Sequence, residues 1–356
     1  MSVLSPSHPT RKALRRWHKL AGLCATLLLM VTGISGSLLA AKPLLLTWLF
    51  AAPLPPNYGI EQIALDLDHL ALQIPSEQQG LVKAPNADEP YWQIITNEQR
   101  RLLLAPETLE VLADHHWLLP VLEWLRVFHT ELLAGLWGEI LLLVMSALTL
   151  FLLLSGLWLW WPARRRIKIR WLLPRRLHRK HLIQYHRHTG ALCLPVVLTV
   201  VLSGTILIEQ RVQRALFPAT RTVSPPAAPE AAATPGSLPA SALFKQAAAQ
   251  VPNAWPSYLR IPSHDDPQFR SRFRLAGEWD PNGRTVVKVN GDGSIEPFKS
   301  ADTLPMGKKL MKTLYPLHTA YGLNSLYQWL VIMSGLIACW MAGTGFVHWL
   351  QRRKAG

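Results

Sequence analysis

Four long stretches of this 356-residue chain contain no Asp, Glu, Lys or Arg: Leu20–Ala41, Ile140–Ala163, His188–Ile208 and Thr313–Gln351. A helix needs about 18 to 20 apolar residues to cross about 30 Å of hydrocarbon, and each stretch is that long. Inside lipid the backbone N–H and C=O groups have no water to bond, so such stretches must fold as helices. Charged residues make up only 17% of the chain, against about 25% in ordinary soluble domains. A single compact soluble core is therefore excluded. So is a disordered chain, which would be poor in Leu, Val and Trp.

The net charge of +15 could suggest a nucleic-acid partner, but its distribution points elsewhere. Arg11, Lys12, Arg15, Arg16 and Lys19 precede the first stretch with no acid among them. Ten basic residues and no acid lie between Pro162 and Arg187, and Arg352, Arg353 and Lys354 follow the last stretch. The two long connections are different. Lys42–Thr130 carries five basic and eleven acidic residues, and Glu209–Lys312 fourteen and nine. Short, uniformly basic loops on one side of four spans are the positive-inside pattern. They place both termini in the cytoplasm and both long connections outside it. No stacking platform or reading motif accompanies the charge, so no nucleic-acid partner is expected.

The first stretch could be a cleaved signal, with Leu39-Ala40-Ala41 as a weak cleavage site. Its 22 uncharged residues are long for the apolar part of a signal peptide, usually about 7 to 15 residues. It is expected to stay as an uncleaved anchor. Cys24, Cys193 and Cys339 all fall within spans, so no disulfide framework and no iron–sulfur ligand set is expected.

The chain reads as an internal duplication. Trp17-His18-Lys19-Leu20-Ala21-Gly22 aligns with Tyr185-His186-Arg187-His188-Thr189-Gly190, and Ser35-Gly36 with Ser203-Gly204 at the same offset. At a second offset His129-Thr130 aligns with His318-Thr319, Ser155-Gly156 with Thr344-Gly345, Trp160 with Trp349 and Arg164 with Arg353. Each half is a span, a long insertion and a returning span, with the same orientation in both halves. The halves should be related by a pseudo-two-fold axis along the membrane normal.

The expected fold is thus a membrane α-helical protein, a four-helix transmembrane bundle with two small periplasmic α+β insertions. The first insertion has a helical pattern at Ile60–Gln73, strands near Tyr91–Ile95 and Arg101–Leu104, and a polar turn at Thr96–Gln99. The second has a helix at Ala240–Gln250 and strands at Ser257–Ile261, Phe269–Leu275 and Thr285–Val289, with a tight turn at Asn290–Gly293. Expected boundaries are a tail 1–16, a span 17–41, an insertion 42–128 and a span 129–161. A basic loop 162–185, a span 186–208, an insertion 209–317 with a Pro/Ala-rich linker 224–239, a span 318–350 and a tail 351–356 complete the chain.

Thirteen histidines are present, and four of them form two duplicated pairs. His18 and His186 stand at the inner ends of the first and third spans, His129 and His318 at the outer ends of the second and fourth. A lone histidine at a membrane helix end commonly just bonds a headgroup or a carbonyl. Two facing imidazoles from a helical bundle also suit a six-coordinate b-type haem, which takes one from each side of the ring. Polar groups in membrane bundles usually line a functional interior, and the duplicated pairing favours two haem b groups. His18 and Gly36 are eighteen residues apart, five helical turns, so they share a face about 27 Å apart, and His186 and Gly204 repeat this. Gly36 and Gly204 would then leave room for the outer haem, and Gly22 and Gly190 for the inner one. Gly156 and Gly345, 27 residues beyond their histidines, fall on the opposite face and are left out. His188 aligns with Leu20 and is a neighbour more than a ligand. His348 has Leu159 as its counterpart and could be a spare inner ligand or a propionate partner. His8, His69, His115, His116, His178, His181 and His264 lie in connections or the tail, where solvation explains them.

No dinucleotide fingerprint, phosphate-binding loop, His-Glu-x-x-His or Cys-x-x-Cys-His is present. The basic loop is too short for a flavin or nicotinamide domain, so any electron donor, a cytoplasmic protein or a quinol, must be a separate molecule.

The frame Trp17-His18-x3-Gly22, His129 followed by Ser155-Gly156-Leu157-Trp158-Leu159-Trp160-Trp161-Pro162, His186-x3-Gly190, and His318-Thr319 ending in Thr344-Gly345-Phe346 resembles the PepSY-associated transmembrane family. That family includes iron-regulated inner-membrane proteins and integral-membrane ferric-siderophore reductases. The resemblance implies PepSY-like insertions, a bacterial inner-membrane location and electron transfer to a ferric siderophore in the periplasm. It carries over to His18, His186, His129 and His318 as haem ligands. Trp117, Trp124, Arg126, Tyr315 and Tyr321 are candidates for the docking surface, with an aromatic membrane belt as the plainer account of each. Two other functions stay open: a haem-free scaffold whose insertions bind or regulate a periplasmic protein, and a quinol-linked cytochrome with another acceptor.

Overall fold

The computed structural model describes residues 8–50, 54–73, 81–96, 101–162, 178–216, 238–262 and 268–353. The basic loop, the Pro/Ala-rich linker and the turn expected at Thr96–Gln99 fall largely outside them. The helices are α1 (His8–Phe50), α2 (Ile60–Gln73), α3 (Leu118–Glu131), α4 (Gly135–Trp160), α5 (Arg179–Leu216), α6 (Ala240–Ala249), α7 (Met306–Thr319) and α8 (Ser325–Arg353). The strands are β1 (Leu81–Lys83), β2 (Trp92–Ile95), β3 (Arg101–Leu104), β4 (Val111–Ala113), β5 (Trp255–Arg260), β6 (Phe269–Arg274) and β7 (Thr285–Val289). The chain divides into two compact units, one of Met1–Ala41, Glu123–Ala219 and Leu317–Gly356, the other of Lys42–Leu122 and Thr220–Pro316.

In the first unit, α1, α4, α5 and α8 are each long and apolar enough to cross a membrane. Their outward surfaces carry large apolar side chains such as Leu27, Trp137, Leu154 and Trp158, an arrangement that suits hydrocarbon and is costly in water. α5 packs along both α4 and α8. α1 meets α8 where two glycines let the backbones touch: a Cβ on Gly33 would stand 2.7 Å from Gly335 O. Ser37 Oγ donates to Ile332 O at 2.7 Å, and Gln328 Nε2 to Ala40 O at 3.2 Å, along the same seam.

Two expectations about the spans are corrected. The segments 129–161 and 318–350 are not single helices. α3 ends at Glu131, Leu132 and Leu133 turn through positive φ (49° and 59°), and α4 starts at Gly135. In the second half α7 ends at Thr319, Ala320 takes φ 61°, and α8 starts at Ser325. His129 and His318 therefore sit on helices separate from the spans that follow. The tail 1–16 and the first span also merge, because α1 is helical from His8 through to Phe50 with Pro43 inside it.

The second unit overturns the expectation of two separate α+β insertions. All seven strands form one antiparallel sheet in the order β4-β3-β2-β1-β5-β6-β7. The joint is β1 against β5, with Val82 opposite Leu259 and Lys83 opposite Tyr258. Left alone, each half would expose an unpaired edge strand, and pairing the edges removes that liability. One core runs beneath the joint. α2 contributes Ile63, Ala64, Leu67 and Leu70, α6 contributes Leu243, Phe244 and Ala247, and both pack on Trp92, Ile94, Phe269 and Phe273. The Asp66 carboxylate, 1% exposed, is held in this core by the Tyr58 hydroxyl (2.5 Å), Trp92 Nε1 (2.9 Å), Gln62 Nε2 (3.1 Å) and Glu107 N (3.2 Å). Burial, then the Asp66 carboxylate, push the Tyr58 hydroxyl far above its ordinary pKa. The other sheet face is partly covered by Leu46 from the end of α1 and by Leu118, Leu119 and Leu122 from the start of α3.

Candidate functional site

Each face-sharing histidine pair meets across the spanning unit. The His18 ring on α1 and the His186 ring on α5 have centres 6.3 Å apart with planes at 89°. The His129 ring on α3 and the His318 ring on α7 have centres 6.2 Å apart at 34°. A metal–imidazole bond of about 2 Å and about 1 Å from nitrogen to ring centre put two trans ligands about 6 Å apart, centre to centre. Both pairs have the spacing of two imidazoles that share one metal.

The four rings are also held in the same way. His186 Nδ1 lies 3.0 Å from Met341 O, and His318 Nδ1 lies 2.9 Å from Val200 O. A carbonyl only accepts, so both Nδ1 atoms carry the proton. His18 Nδ1 is 2.8 Å from Ser155 Oγ, and His129 Nδ1 is 2.9 Å from Ser35 Oγ. Each hydroxyl also has a carbonyl within reach, Leu152 O at 3.3 Å and Thr32 O at 3.2 Å, so its proton can go to either partner. In a neutral imidazole a protonated Nδ1 leaves the lone pair on Nε2 of His186 and His318, the tautomer of a metal ligand whose other nitrogen is tied to the protein. Among the described residues no group of three or more His, Cys, Asp or Glu could hold a metal. Each pair could supply two imidazoles to one iron, and a porphyrin would supply the rest of its ligands. The donor set fits haem.

A glycine seats each ring. A Cβ on Gly36 would stand 3.0 Å from His129 Cε1, and one on Gly204 would stand 2.6 Å from His318 Cε1. A Cβ on Gly156 would be 3.3 Å from His18 Cε1, and one on Gly345 would be 3.4 Å from His186 Cε1. The last two correct the sequence reading, which placed Gly156 and Gly345 on the wrong face. That count started from His129 and His318 and ran through the helix breaks at Leu132 and Ala320, where helical phase is lost. Gly36 and Gly204 lie beside the outer pair as their spacing from His18 and His186 predicts. Gly22 and Gly190 face side chains, Leu152 Cδ2 at 3.8 Å and Met341 Cε at 2.6 Å from a built Cβ.

The other candidates lie elsewhere. His188 is buried and bonded through Nδ1 to Gln184 O at 2.8 Å, one turn back on its own helix. His348 is within electrostatic reach of His186. Trp117 is exposed and stacked on His116, Trp124 is exposed and stacked on Phe128, and Arg126 is paired with Glu123 at 2.5 Å. Tyr315 is in electrostatic reach of Tyr258, Lys83 and Glu89, and the Tyr321 N–H donates to Thr319 Oγ1 at 3.2 Å. One cluster escaped the sequence reading. Arg211 on α5 pairs with Glu131 at 2.8 Å and with the buried Glu139 at 2.5 Å, which ties α3, α4 and α5 two residues from His129. Its only signal is that all three charges border uncharged stretches.

A bundle of four membrane-spanning helices with a histidine pair near each end defines a multi-pass membrane protein built around two paired imidazole sites. The chain belongs to the PepSY-associated TM region family, which matches residues 15–352. No curated protein matches it.

Proposed function

We propose that this protein is a di-haem b electron conduit of the bacterial inner membrane that reduces a ferric siderophore or another ferric chelate on the periplasmic side. The observation that carries the reading is the pair of facing imidazoles at each end of the bundle, at one-metal spacing and each held through Nδ1. The matched contacts His18–Ser155 and His186–Thr344, and likewise Gly36–His129 and Gly204–His318, favour descent from a duplicated half.

Haem at His18/His186 and at His129/His318 would supply one-electron carriers near the two membrane faces. The protein's part is to hold the rings. Ser155, Met341, Ser35 and Val200 hold the imidazoles through Nδ1. His18 and Ser35 are seventeen residues apart on one helix, so the two levels are about 25 Å apart. The positive-inside pattern puts the His18 end toward the cytoplasmic or quinol donor and the His129 end toward the chelate. One electron converts Fe(III) to Fe(II), a softer ion that hard oxygen ligands hold less tightly.

The test uses vesicles with an enclosed reductant, an external ferric chelate and a ferrous-specific dye. Wild-type protein should produce Fe(II) outside, and His129→Ala should stop it. A haem-loaded protein that reduces no ferric chelate would favour the quinol-linked cytochrome with another acceptor, and a colourless protein the scaffold.

A further inference from the structure

α3 and α7 are too short to span a membrane, yet both leave apolar side chains uncovered. On α3, Leu118, Leu119 and Leu122 pack under the sheet, while Trp117, Val121 and Trp124 are exposed. Those three positions, with Phe128 stacked on Trp124 at 5.4 Å, follow the i, i+4, i+7, i+11 spacing of a single helix face. On α7, Met306, Leu310 and Met311 are exposed, and Lys308, Lys309 and Lys312 occupy the opposite side of the helix, with Lys309 Nζ donating to Asp302 O at 2.7 Å. α7 contains no acidic residue.

The chain itself indicates what covers these faces. Three residues separate α3 from the span that begins at Gly135, and five separate α7 from the span that begins at Ser325. At about 3.8 Å per Cα step, the α3 and α7 C-termini lie within about 15 and 23 Å of the first residue of a spanning helix. The connection at α3 is tighter still, because Glu131 O stands where a Cβ on Gly138 would be. Both helices therefore end close in the chain to the start of a spanning helix, with an apolar row and, on α7, three cations.

We propose that α3 and α7 lie in the headgroup layer as in-plane amphipathic helices, their apolar rows in the acyl boundary, and that Lys308, Lys309 and Lys312 bind the phosphates of anionic phospholipid. This assigns Trp117 and Trp124 to lipid and not to a ferric chelate. It also makes lipid a positioning element for His129 and His318, which sit at the C-terminal ends of the two helices. The inference stands whether or not haem is bound.

The test places full-length protein in nanodiscs of mixed phosphatidylglycerol and phosphatidylcholine, with Cys24, Cys193 and Cys339 replaced. Spin labels at Val121→Cys and Leu310→Cys are compared with a lipid reference, Leu27→Cys, and a water reference, Leu72→Cys, both highly exposed positions. The labels at 121 and 310 should collide with dissolved oxygen and be shielded from a water-soluble nickel chelate, as at 27. Behaviour like position 72 overturns the in-plane placement. Phosphatidylglycerol should also be enriched around the wild-type protein by about fivefold per lysine, and K308Q/K309Q/K312Q should abolish that enrichment. Equal enrichment around the variant overturns the anionic-lipid site, and the labels report independently of whether the variant folds well.

Discussion

Gly204 faces His318 so closely that a Cβ would stand 2.6 Å from Cε1, inside any ordinary contact distance. The ring cannot retreat freely, because its Nδ1 is anchored 2.9 Å from Val200 O, one turn before Gly204 on the same helix. Gly204→Val should therefore displace the imidazole, at a cost of about 1 to 3 kcal/mol in overpacking. Haem content should fall from two to one per chain, with the His18/His186 site retained. Pyridine haemochrome assay of the purified variant checks this.

Ser35 and Ser155 act at one remove from the proposed ligands. Ser35→Ala would leave His129 Nδ1 without its 2.9 Å partner, and Ser155→Ala would do the same for His18. Outer-shell partners of metal-bound histidine are worth about 10- to 100-fold in affinity. Each substitution should weaken one haem site by that factor and shift its midpoint potential, and spectroelectrochemical titration would show which one. A variant with both potentials and both affinities unchanged contradicts this role.

The Arg211 pairings predict a large and recoverable loss. Arg211→Leu leaves Glu131 and the buried Glu139 facing each other without a cation, a cost of about 3 to 5 kcal/mol for an uncompensated charge. Adding Glu139→Leu removes the buried charge and should restore most of the thermal stability. Unfolding of the single and double variants in detergent measures the difference, and two equally unstable proteins would contradict the account.

The continuous sheet makes its two halves depend on each other. Phe244 is fully buried between α6 and β6, and Phe244→Ala should cost about 3 to 5 kcal/mol. Hydrogen exchange should then rise in Trp92–Ile95 as well as in Phe269–Arg274, because one core serves both. A rise confined to the second segment would mean that the halves fold separately.

Much of this architecture is legible in the chain. Uncharged runs mark the four spans, because hydrocarbon tolerates few charges. The helix at Ile60–Gln73 and the strands at Arg101–Leu104 and Thr285–Val289 follow from apolar periodicity alone. The breaks before Gly135 and Ser325 are partly masked: leucine and alanine take positive φ at Leu132, Leu133 and Ala320, and the turning glycines Gly135 and Gly322 sit among residues that also suit a membrane helix. The β1–β5 joint is hidden for another reason. It pairs residues more than 170 positions apart, through a three-residue strand with no pattern of its own. The places of Gly36 and Gly204 beside the outer histidines are legible from helical spacing, whereas those of Gly156 and Gly345 are not, because the spacing from His129 and His318 crosses the two helix breaks.

The most direct measurement is the absorption spectrum and haem stoichiometry of the detergent-purified protein, taken with His18→Ala and His318→Ala beside the wild type. Two low-spin, bis-imidazole haems per wild-type chain, and one in each variant, is the predicted result. A colourless wild type, or variants that keep both haems, would contradict the assignment of the four histidines.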